Sequence, residues 1–228
     1  MRALVTDFSG VYEAEGFLPW LREQDGEKLV HADFTLVEGT CCYCSAQEVI
    51  MKELPVSLPL VRWTDSGDYH YMTHLLALRE TEPFHLILLD HHPDNQEPVF
   101  GDVLSCGGWV KTMQETNPLL RSVLSIGPED CPEDVPDAWL AQRRGERVYV
   151  SLDKDVMGRA WSRTDWTQGT HSLEQVKDML RRILLAPVEL AALDICGEIT
   201  ESKGATPEDL RMNLETNKVL YNHIKKFL

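Results

Sequence analysis

The chain has 228 residues and a formal net charge of −15, because 37 Asp and Glu outnumber 22 Lys and Arg. Hydrophobic residues make up 43% and charged residues 26%, which are ordinary fractions for a soluble globular protein and exclude disordered, collagen-like and coiled-coil chains. So acidic a chain repels phosphate backbones, and we therefore expect no nucleic-acid partner.

The amino-terminal residues and the number of cysteines bear on the cellular compartment in which the protein is expected. No apolar run approaches the ~20 residues that cross a bilayer, and the apolar part of MRALVTDFSG is too short for a signal peptide. We therefore expect a cytoplasmic protein, with no membrane association and six reduced cysteines. The Cys41-Cys42-x-Cys44 group lacks a second Cys pair or a His pair at finger spacing, which disfavours a structural zinc site.

Short apolar runs rich in Val, Leu and Ile recur along the chain and predict seven β-strands. Several of these runs are continuous rather than alternating, as in strands that are buried on both faces of a parallel sheet. The predicted strands are residues 3–6, 34–37, 60–63, 84–89, 122–126, 148–152 and 190–195.

Helix signals lie between and after these runs. Ser172 and Gln175 form the pattern of a capping box ahead of a helical apolar repeat. Thr206 followed by Pro207 predicts the start of a helix that runs to about Lys225.

A further helix is predicted over residues 71–80, and the acid- and proline-rich stretch 127–137 is interpreted as a surface loop. Because strands alternate with helices, the sequence predicts a three-layer α/β/α fold with a mostly parallel central sheet. No composition shift marks a boundary, so we expect residues 1–228 to form a single domain.

Acidic residues and histidines directly follow four predicted strands, in segments 64–70, 90–94, 153–155 and 194–198. The carboxyl ends of parallel strands meet at one edge of the sheet, where such folds bind ligands. Carboxylates that converge at this density repel one another unless cations neutralise them. The mixture of carboxylates and imidazoles suits divalent manganese, iron or cobalt, and zinc less well.

The most specific pattern is Asp90-x-His92-x-Asp94, which places three donors on one side of an extended chain. Asp153-x-Asp155 repeats this geometry after another strand. Each segment alone is also compatible with a solvated polar loop, whereas the two together favour bound metal.

These residues resemble the arginase–agmatinase–formiminoglutamase family, the ureohydrolases, whose motifs GGDHS, DAHxD and SxDxDxxDP follow strand ends in that order. The counterparts are SGDYH at 66–70, DHHPD at 90–94 and SLDKD at 151–155. TQGT at 167–170 resembles the family's substrate loop, and LDI at 193–195 resembles its last strand. The similarity covers roughly residues 60–200.

The resemblance implies an arginase/deacetylase-like fold and two Mn²⁺ ions per chain, with Fe²⁺, Co²⁺ or Zn²⁺ as alternatives. Asp90 and Asp153 would bridge the ions. On the family pattern one ion would be held by His70, Asp90, Asp94 and Asp153, and the other by Asp90, His92, Asp153 and Asp155.

The implied reaction is hydrolysis of a non-peptide carbon–nitrogen bond in a small amidine, guanidino or amide substrate, through attack by a metal-bridging hydroxide. The net acidity would suit a cationic substrate. The candidate catalytic residues are Glu198, which resembles the family's substrate-binding acid, and Cys106, which lies near the place of the family's proton-shuttling histidine. His171, beside the substrate loop, is a candidate replacement for that histidine.

The sequence departs from the family motifs at several positions, and these departures affect arginine hydrolysis more than metal binding. Tyr69 is inserted before His70, and the closing Asp-Pro of the third motif is absent. Cys106 or Trp109 stands where the shuttle histidine is expected, and Glu198 is displaced by one residue. The motifs therefore predict metal binding, and arginine is expected to be a poor substrate.

Two other functions stay open. One is a zinc deacetylase that uses a single Asp-His-Asp site, although the presence of both Asp94 and Asp155 favours two metals. The other is a non-catalytic metal-binding protein. The sequence also leaves a homo-oligomer open.

Overall fold

The structure is a computed structural model that describes residues 1–98, 101 and 103–228. The described residues form nine β-strands and eight α-helices. The strands are β1 (Ala3–Asp7), β2 (Leu29–Asp33), β3 (Tyr43–Cys44), β4 (Val61–Trp63), β5 (Phe84–Leu89), β6 (Leu104–Ser105), β7 (Leu120–Ile126), β8 (Arg147–Asp153) and β9 (Glu189–Cys196). The helices are α1 (Val11–Ala14), α2 (Phe17–Asp25), α3 (Gln47–Glu53), α4 (Met72–Ala77), α5 (Trp109–Thr116), α6 (Asp137–Ala141), α7 (Leu173–Leu185) and α8 (Pro207–Ile224).

Seven of the strands form one sheet in the order β2-β1-β4-β9-β8-β5-β7, and its pairings are all parallel. One apolar cluster packs α2, α7 and α8 against one face of this sheet. A second cluster packs α3, α4 and α5 against the other face. The three-layer α/β/α architecture predicted from the sequence is thereby confirmed. Short strands β3 and β6 pair antiparallel outside the main sheet.

The local signals for the two long helices are confirmed. Ser172 Oγ accepts the amide hydrogen of Gln175 at 3.2 Å, and Gln175 Oε1 accepts that of Ser172 at 2.8 Å. Thr206 caps α8 in the same way, with Pro207 in its first turn. In the described part of the chain, none of the helices is both long and apolar enough to cross a membrane.

The predicted strand over residues 34–37 is wrong, because the edge strand is the preceding run, β2. The Asp33 carboxylate accepts hydrogen bonds from the amide and the hydroxyl of Thr35, at 3.0 and 2.6 Å, and these bonds turn the chain. Phe34 is buried, but Leu36 is 94% exposed. A local side-chain turn therefore ends the strand at Asp33, although the alternation of apolar and polar residues continues to Leu36.

Asp65 joins three strand ends above the sheet. It is fully buried and adopts a left-handed backbone conformation, with φ at 75°. Its carboxylate accepts the amide hydrogens of Phe8, Ser9 and Ser66 at 2.7 to 2.8 Å. Its carbonyl oxygen accepts that of Gly197 at 3.0 Å. The ends of β1, β4 and β9 are thus held to one residue at the edge that carries the acidic segments.

Candidate metal centre

The six predicted metal ligands surround one cavity. Strands β4, β9, β8 and β5 are consecutive in the sheet, and three of these strands are followed by segments that carry the predicted ligands. The cavity at their carboxyl ends has a volume of about 160 Å³. The predicted ligands that line it are His70, Asp90, His92, Asp94, Asp153 and Asp155.

One group of ligand atoms centres on His70. Its Nδ1 lies 2.9 Å from Asp94 Oδ2, 3.2 Å from Asp90 Oδ2 and 3.5 Å from Asp153 Oδ2. Its other ring nitrogen, Nε2, lies 2.8 Å from Ser151 Oγ. An imidazole that binds metal through one nitrogen is normally held by such a partner at the other, so Ser151 orients the ring.

A second group centres on His92, whose Nδ1 lies 2.7 Å from Asp155 Oδ2 and 3.7 Å from Asp90 Oδ1. Its Nε2 lies 2.9 Å from the hydroxyl of Thr167, in the predicted substrate loop. Asp90 belongs to both groups of potential ligands, since one of its oxygens lies towards each histidine. This position is the one that a bridging carboxylate needs.

The turn before His70 accommodates the inserted Tyr69. Residues Gly67–Tyr69 form one turn of 3-10 helix, and Ser66 Oγ caps this turn by accepting the Asp68 amide hydrogen at 3.3 Å. After this turn His70 reaches the cavity, where it is 1% exposed. The insertion therefore does not remove this potential ligand.

The four carboxylates destabilise one another in the metal-free protein. Burial, with repulsion from a neighbouring carboxylate, raises the pKa of Asp153 to about 6 and that of Asp155 to about 7. The pKa values of Asp90 and Asp94 are raised for the same reasons. Asp90 Oδ2 is buried and accepts no hydrogen bond from any described residue. Within the described chain this oxygen forms no hydrogen bond although His70 Nδ1 lies 3.2 Å away, and its setting among repelling carboxylates and two imidazoles fits a pair of divalent cations.

The three candidate catalytic residues occupy different places. Cys106 lines the cavity. His171 lies in a separate surface depression, where its Nε2 is 2.9 Å from the carbonyl oxygen of Glu133. His171 does not line the cavity that holds the proposed metal ligands, so the expectation that it replaces the shuttle histidine finds no support in its position.

Glu198 does not line the cavity either, and it is fully buried. Its Oε1 forms an ion pair with Lys154 and accepts a hydrogen bond from Asn217 at 2.8 Å. Its Oε2 accepts one from Asn213, also at 2.8 Å. Both oxygens are used by the protein itself, so the carboxylate is not presented to a substrate.

Sequence reasoning missed the residues that support the ligands. Trp109 Nε1 donates to Asp94 Oδ2 at 2.6 Å, and Trp166, which lines the cavity, donates to Asp68 Oδ1 at 2.9 Å. Ser151 was detectable, because it precedes Asp153 by two residues and so shares its face of β8. The tryptophans carried a weaker signal, since they lie near predicted strand ends.

The fold belongs to a known class. No protein-family model matches the chain. It is 28% identical over 204 residues to an uncharacterised protein of Thermotoga maritima, covering 85% of this chain and 78% of that protein. Among solved structures, it resembles proclavaminate amidino hydrolase from Streptomyces clavuligerus, with a TM-score of 0.64 and 14% identity, over 100% of this chain and 92% of that one.

Two further solved structures are similar. Arginase from Bacillus cereus has a TM-score of 0.63 and 10% identity, over 97% of each chain. Agmatine ureohydrolase of Thermoplasma volcanium has a TM-score of 0.60 and 12% identity, over 99% of this chain and 90% of that one. The chain therefore has the arginase–agmatinase fold, as its motifs predicted; at these identities the likeness concerns the fold.

Proposed function

We propose that this chain is a dinuclear metal hydrolase of non-peptide carbon–nitrogen bonds in a small amidine, guanidino or amide substrate. The observation that carries the proposal is the convergence of six carboxylate and imidazole donors on one cavity, in two groups that share Asp90. Solved proteins of this fold whose names denote an arginase, an agmatine ureohydrolase and an amidino hydrolase support the reaction class.

The residues present fit two Mn²⁺ ions, with Fe²⁺, Co²⁺ or Zn²⁺ as alternatives. His70 and Asp94 would hold one ion, His92 and Asp155 the other, and Asp90 with Asp153 both. When bound, such ions lower the pKa of water towards neutrality and polarise a substrate carbonyl or amidine. Ser151 and Thr167 hold the two imidazoles in place.

The charges of the residues that line the cavity affect which class of substrate it can bind. Four ionised carboxylates balance two divalent cations, and the two imidazoles are neutral when they bind metal. The other described residues that line the cavity are not Asp, Glu, Lys or Arg. Burial, together with the nearby Asp94 and Asp68, raises the pKa of Cys106 to about 12, so its thiol stays protonated and can donate a hydrogen bond. Glu198 is bound to Lys154, and the described residues that line the cavity include no carboxylate beyond the four proposed metal ligands. We therefore expect arginine to be turned over poorly.

Metal counting on matched variants tests the binding site. We expect wild-type protein to bind about two Mn²⁺ ions per chain, measured by elemental analysis after desalting. His92→Ala and Asp90→Asn should lower this number. His91→Ala is the control, because His91 adjoins His92 but does not line the cavity. Trace manganese in the loaded wild type, or an equal loss in His91→Ala, would contradict the metal centre.

Turnover tests the reaction. Manganese-loaded protein should release an amine or ammonia from at least one member of a panel of neutral amides, amidines and guanidino compounds, and Asp90→Asn should abolish this release. Two bound ions without turnover on the whole panel would refute the hydrolase and favour a non-catalytic metal-binding protein. One bound zinc with release of acetate from acetylated amines would favour the deacetylase. The cytoplasmic location and the oligomeric state stay predictions.

A further inference from the structure

Two adjacent cysteines and an aspartate converge beside the cavity. The thiol of Cys41 lies 3.3 Å from Asp68 Oδ2, and that of Cys42 lies 3.1 Å from Asp68 Oδ1. The two sulfur atoms are 4.0 Å apart. Asp68 is 3% exposed, so three potential ligand atoms meet at a carboxylate that the fold has already buried.

The backbone directs both thiols to the same side. Consecutive side chains of an extended segment point to opposite faces, but Cys41 has a φ of 74°, a conformation that is costly for a residue with a side chain. The following strand is fixed, because the amide of Cys106 donates to the Cys42 carbonyl oxygen at 2.9 Å and β3 pairs with β6. The strained residue at position 41 is thus what brings the two thiols together.

The distances match a tetrahedral zinc site. Two sulfurs bound at ~2.3 Å from zinc are about 3.8 Å apart, and a sulfur and a carboxylate oxygen are about 3.5 Å apart. The two sulfurs are 4.0 Å apart, and they lie 3.3 and 3.1 Å from the two different oxygens of Asp68. One ligand atom from each residue lies within 4.8 Å of the others, so small movements bring three ligand atoms to these values. A hydrogen bond from Trp166 and the ammonium of Lys203, 3.7 Å away, offset part of the carboxylate's charge.

We propose that Cys41, Cys42 and Asp68 form a zinc site, separate from the two-ion centre, that clamps the loop before β3 to the turn that carries His70. Thiolates select zinc over manganese, whereas the carboxylate-rich cavity favours harder ions, so the two sites have different metal preferences. Three protein ligands leave a fourth position for water. Cys44, which the sequence grouped with these cysteines, is instead buried in the apolar core, and Asp68 takes its place.

Cadmium, a zinc analogue whose thiolate complexes absorb in the ultraviolet, is the probe for this site. We expect one equivalent of Cd²⁺ to produce thiolate-to-metal absorption in manganese-loaded wild type and in Asp90→Asn, so the result does not depend on the two-ion centre. The Cys41→Ser/Cys42→Ser variant should lose the absorption band. Asp68→Asn should weaken Cd²⁺ binding by at least ~10-fold, because the loss of a residue that only supports a metal ligand already costs about that much affinity. Cys131→Ser is the control, because Cys131 lies elsewhere on the surface.

A band that persists in the double variant, or that is absent from wild type, would overturn the proposal. A second measurement uses wild type alone and does not depend on how the variants fold. Cys41, Cys42 and Cys131 all have exposed surface, so iodoacetamide can reach each of them in zinc-free protein. Burial and the adjacent Asp68 raise the pKa values of Cys41 and Cys42, so the labelling is carried out at alkaline pH, where their thiolates form. Zinc should protect Cys41 and Cys42 but leave Cys131 reactive, as read by mass spectrometry of peptides. Equal labelling of Cys41 and Cys42 with and without zinc would refute the site.

Discussion

At the scale of single residues, Trp109 stands near the position where the ureohydrolase resemblance predicts a proton-shuttling histidine. Its indole donates a hydrogen bond to Asp94. An indole N–H donates a hydrogen bond but has no proton to transfer near neutral pH, so Trp109 can orient a ligand and cannot act as a shuttle. Both side chains are buried and their contact is 2.6 Å. The residue therefore serves the metal site and not the proton relay.

We predict that Trp109→Phe lowers Mn²⁺ affinity by ~10- to 100-fold, the usual loss when the outer partner of a metal ligand is removed. Isothermal titration calorimetry measures this change. Trp161→Phe is the control, because Trp161 is 39% exposed and does not line the cavity. Unchanged affinity in Trp109→Phe would show that Asp94 needs no such partner.

Gly197 is required because a side chain at this position would collide with Asp153, one of the proposed metal ligands. Its φ is 93°, and a Cβ there would lie 2.2 Å from Asp153 Oδ1 and 2.7 Å from the Lys154 amide nitrogen. We predict that Gly197→Ala displaces Asp153, weakens Mn²⁺ binding and lowers the free energy of unfolding by more than the ~1–2 kcal/mol of the backbone conformation alone.

The matched control for this prediction is Gly204→Ala. Gly204 has a similar φ of 86°, but the position that an alanine methyl group would occupy has no described atom within 4 Å. This variant should show the backbone penalty in urea unfolding and keep its manganese. Equal effects of the two substitutions on metal content would exclude a steric role for Gly197.

At the scale of elements, a buried ion pair connects the end of β8 to the end of β9 and to α8. Lys154 and Glu198 are both fully buried, and Asn217 of α8 extends the network to Glu15 after α1 through a 2.8 Å hydrogen bond. Removing one charge leaves the other buried without a partner, which typically costs about 3–5 kcal/mol. The pair therefore holds the turn that carries Asp155 to the carboxyl-terminal helix.

We predict that Lys154→Met lowers the free energy of unfolding by about 3–5 kcal/mol, and that Lys154→Met/Glu198→Leu recovers much of this loss because no unpaired charge remains. Urea unfolding of the two single variants and the double variant gives the coupling energy. If the double variant loses as much stability as the two single variants together, Lys154 and Glu198 do not stabilise each other in the folded protein.

The helices and strands could be predicted from the sequence where the residues that define their ends are close together in the chain. The caps of α7 and α8 are set by residues within one turn, and both were found. The edge strand was misplaced because apolar and polar residues alternate without interruption from Val30 to Leu36, and only the Asp33–Thr35 turn shows where pairing stops. Glu198 gave no local sign that Lys154, 44 residues earlier, would neutralise it.

At the scale of the whole molecule, the sequence predicted the common sheet edge because parallel strands end together, and this edge carries the six proposed ligands. What it could not supply is the direction of each side chain after its strand. His92 and His171 both lie in loops near this edge, yet one lines the cavity and the other occupies a different depression. That difference depends on packing among loops from distant parts of the chain.

The stability of the metal-free protein should fall as pH rises. Asp153 and Asp155 have pKa values of about 6 and 7 in the folded protein, above the ~3.9 of an unfolded Asp. The folded state therefore binds more protons between about pH 4 and 7, and the stability that these protons contribute is lost as pH passes through the folded values. We predict a lower melting temperature at pH 8 than at pH 5 in the presence of a chelator.

Manganese should reverse this trend, because metal binding needs ionised carboxylates and stabilises only the folded state. Thermal melts at pH 5 and pH 8, with chelator or with Mn²⁺, check both signs. Asp153→Asn/Asp155→Asn should flatten the metal-free dependence. A metal-free melting temperature that rises from pH 5 to pH 8 would contradict the repulsion inferred for these carboxylates.

The carboxylate of Asp65 has a consequence for hydrogen exchange. Backbone amides in loops usually exchange quickly with deuterium, because local opening exposes them at little cost in free energy. The amides of Phe8, Ser9 and Ser66 lie outside the strands, yet all three donate to one fully buried carboxylate. Phe8 and Ser9 follow β1 whereas Asp65 follows β4, so their amide protons are released when the ends of these two strands separate. These two loop amides should therefore exchange far more slowly than other loop amides.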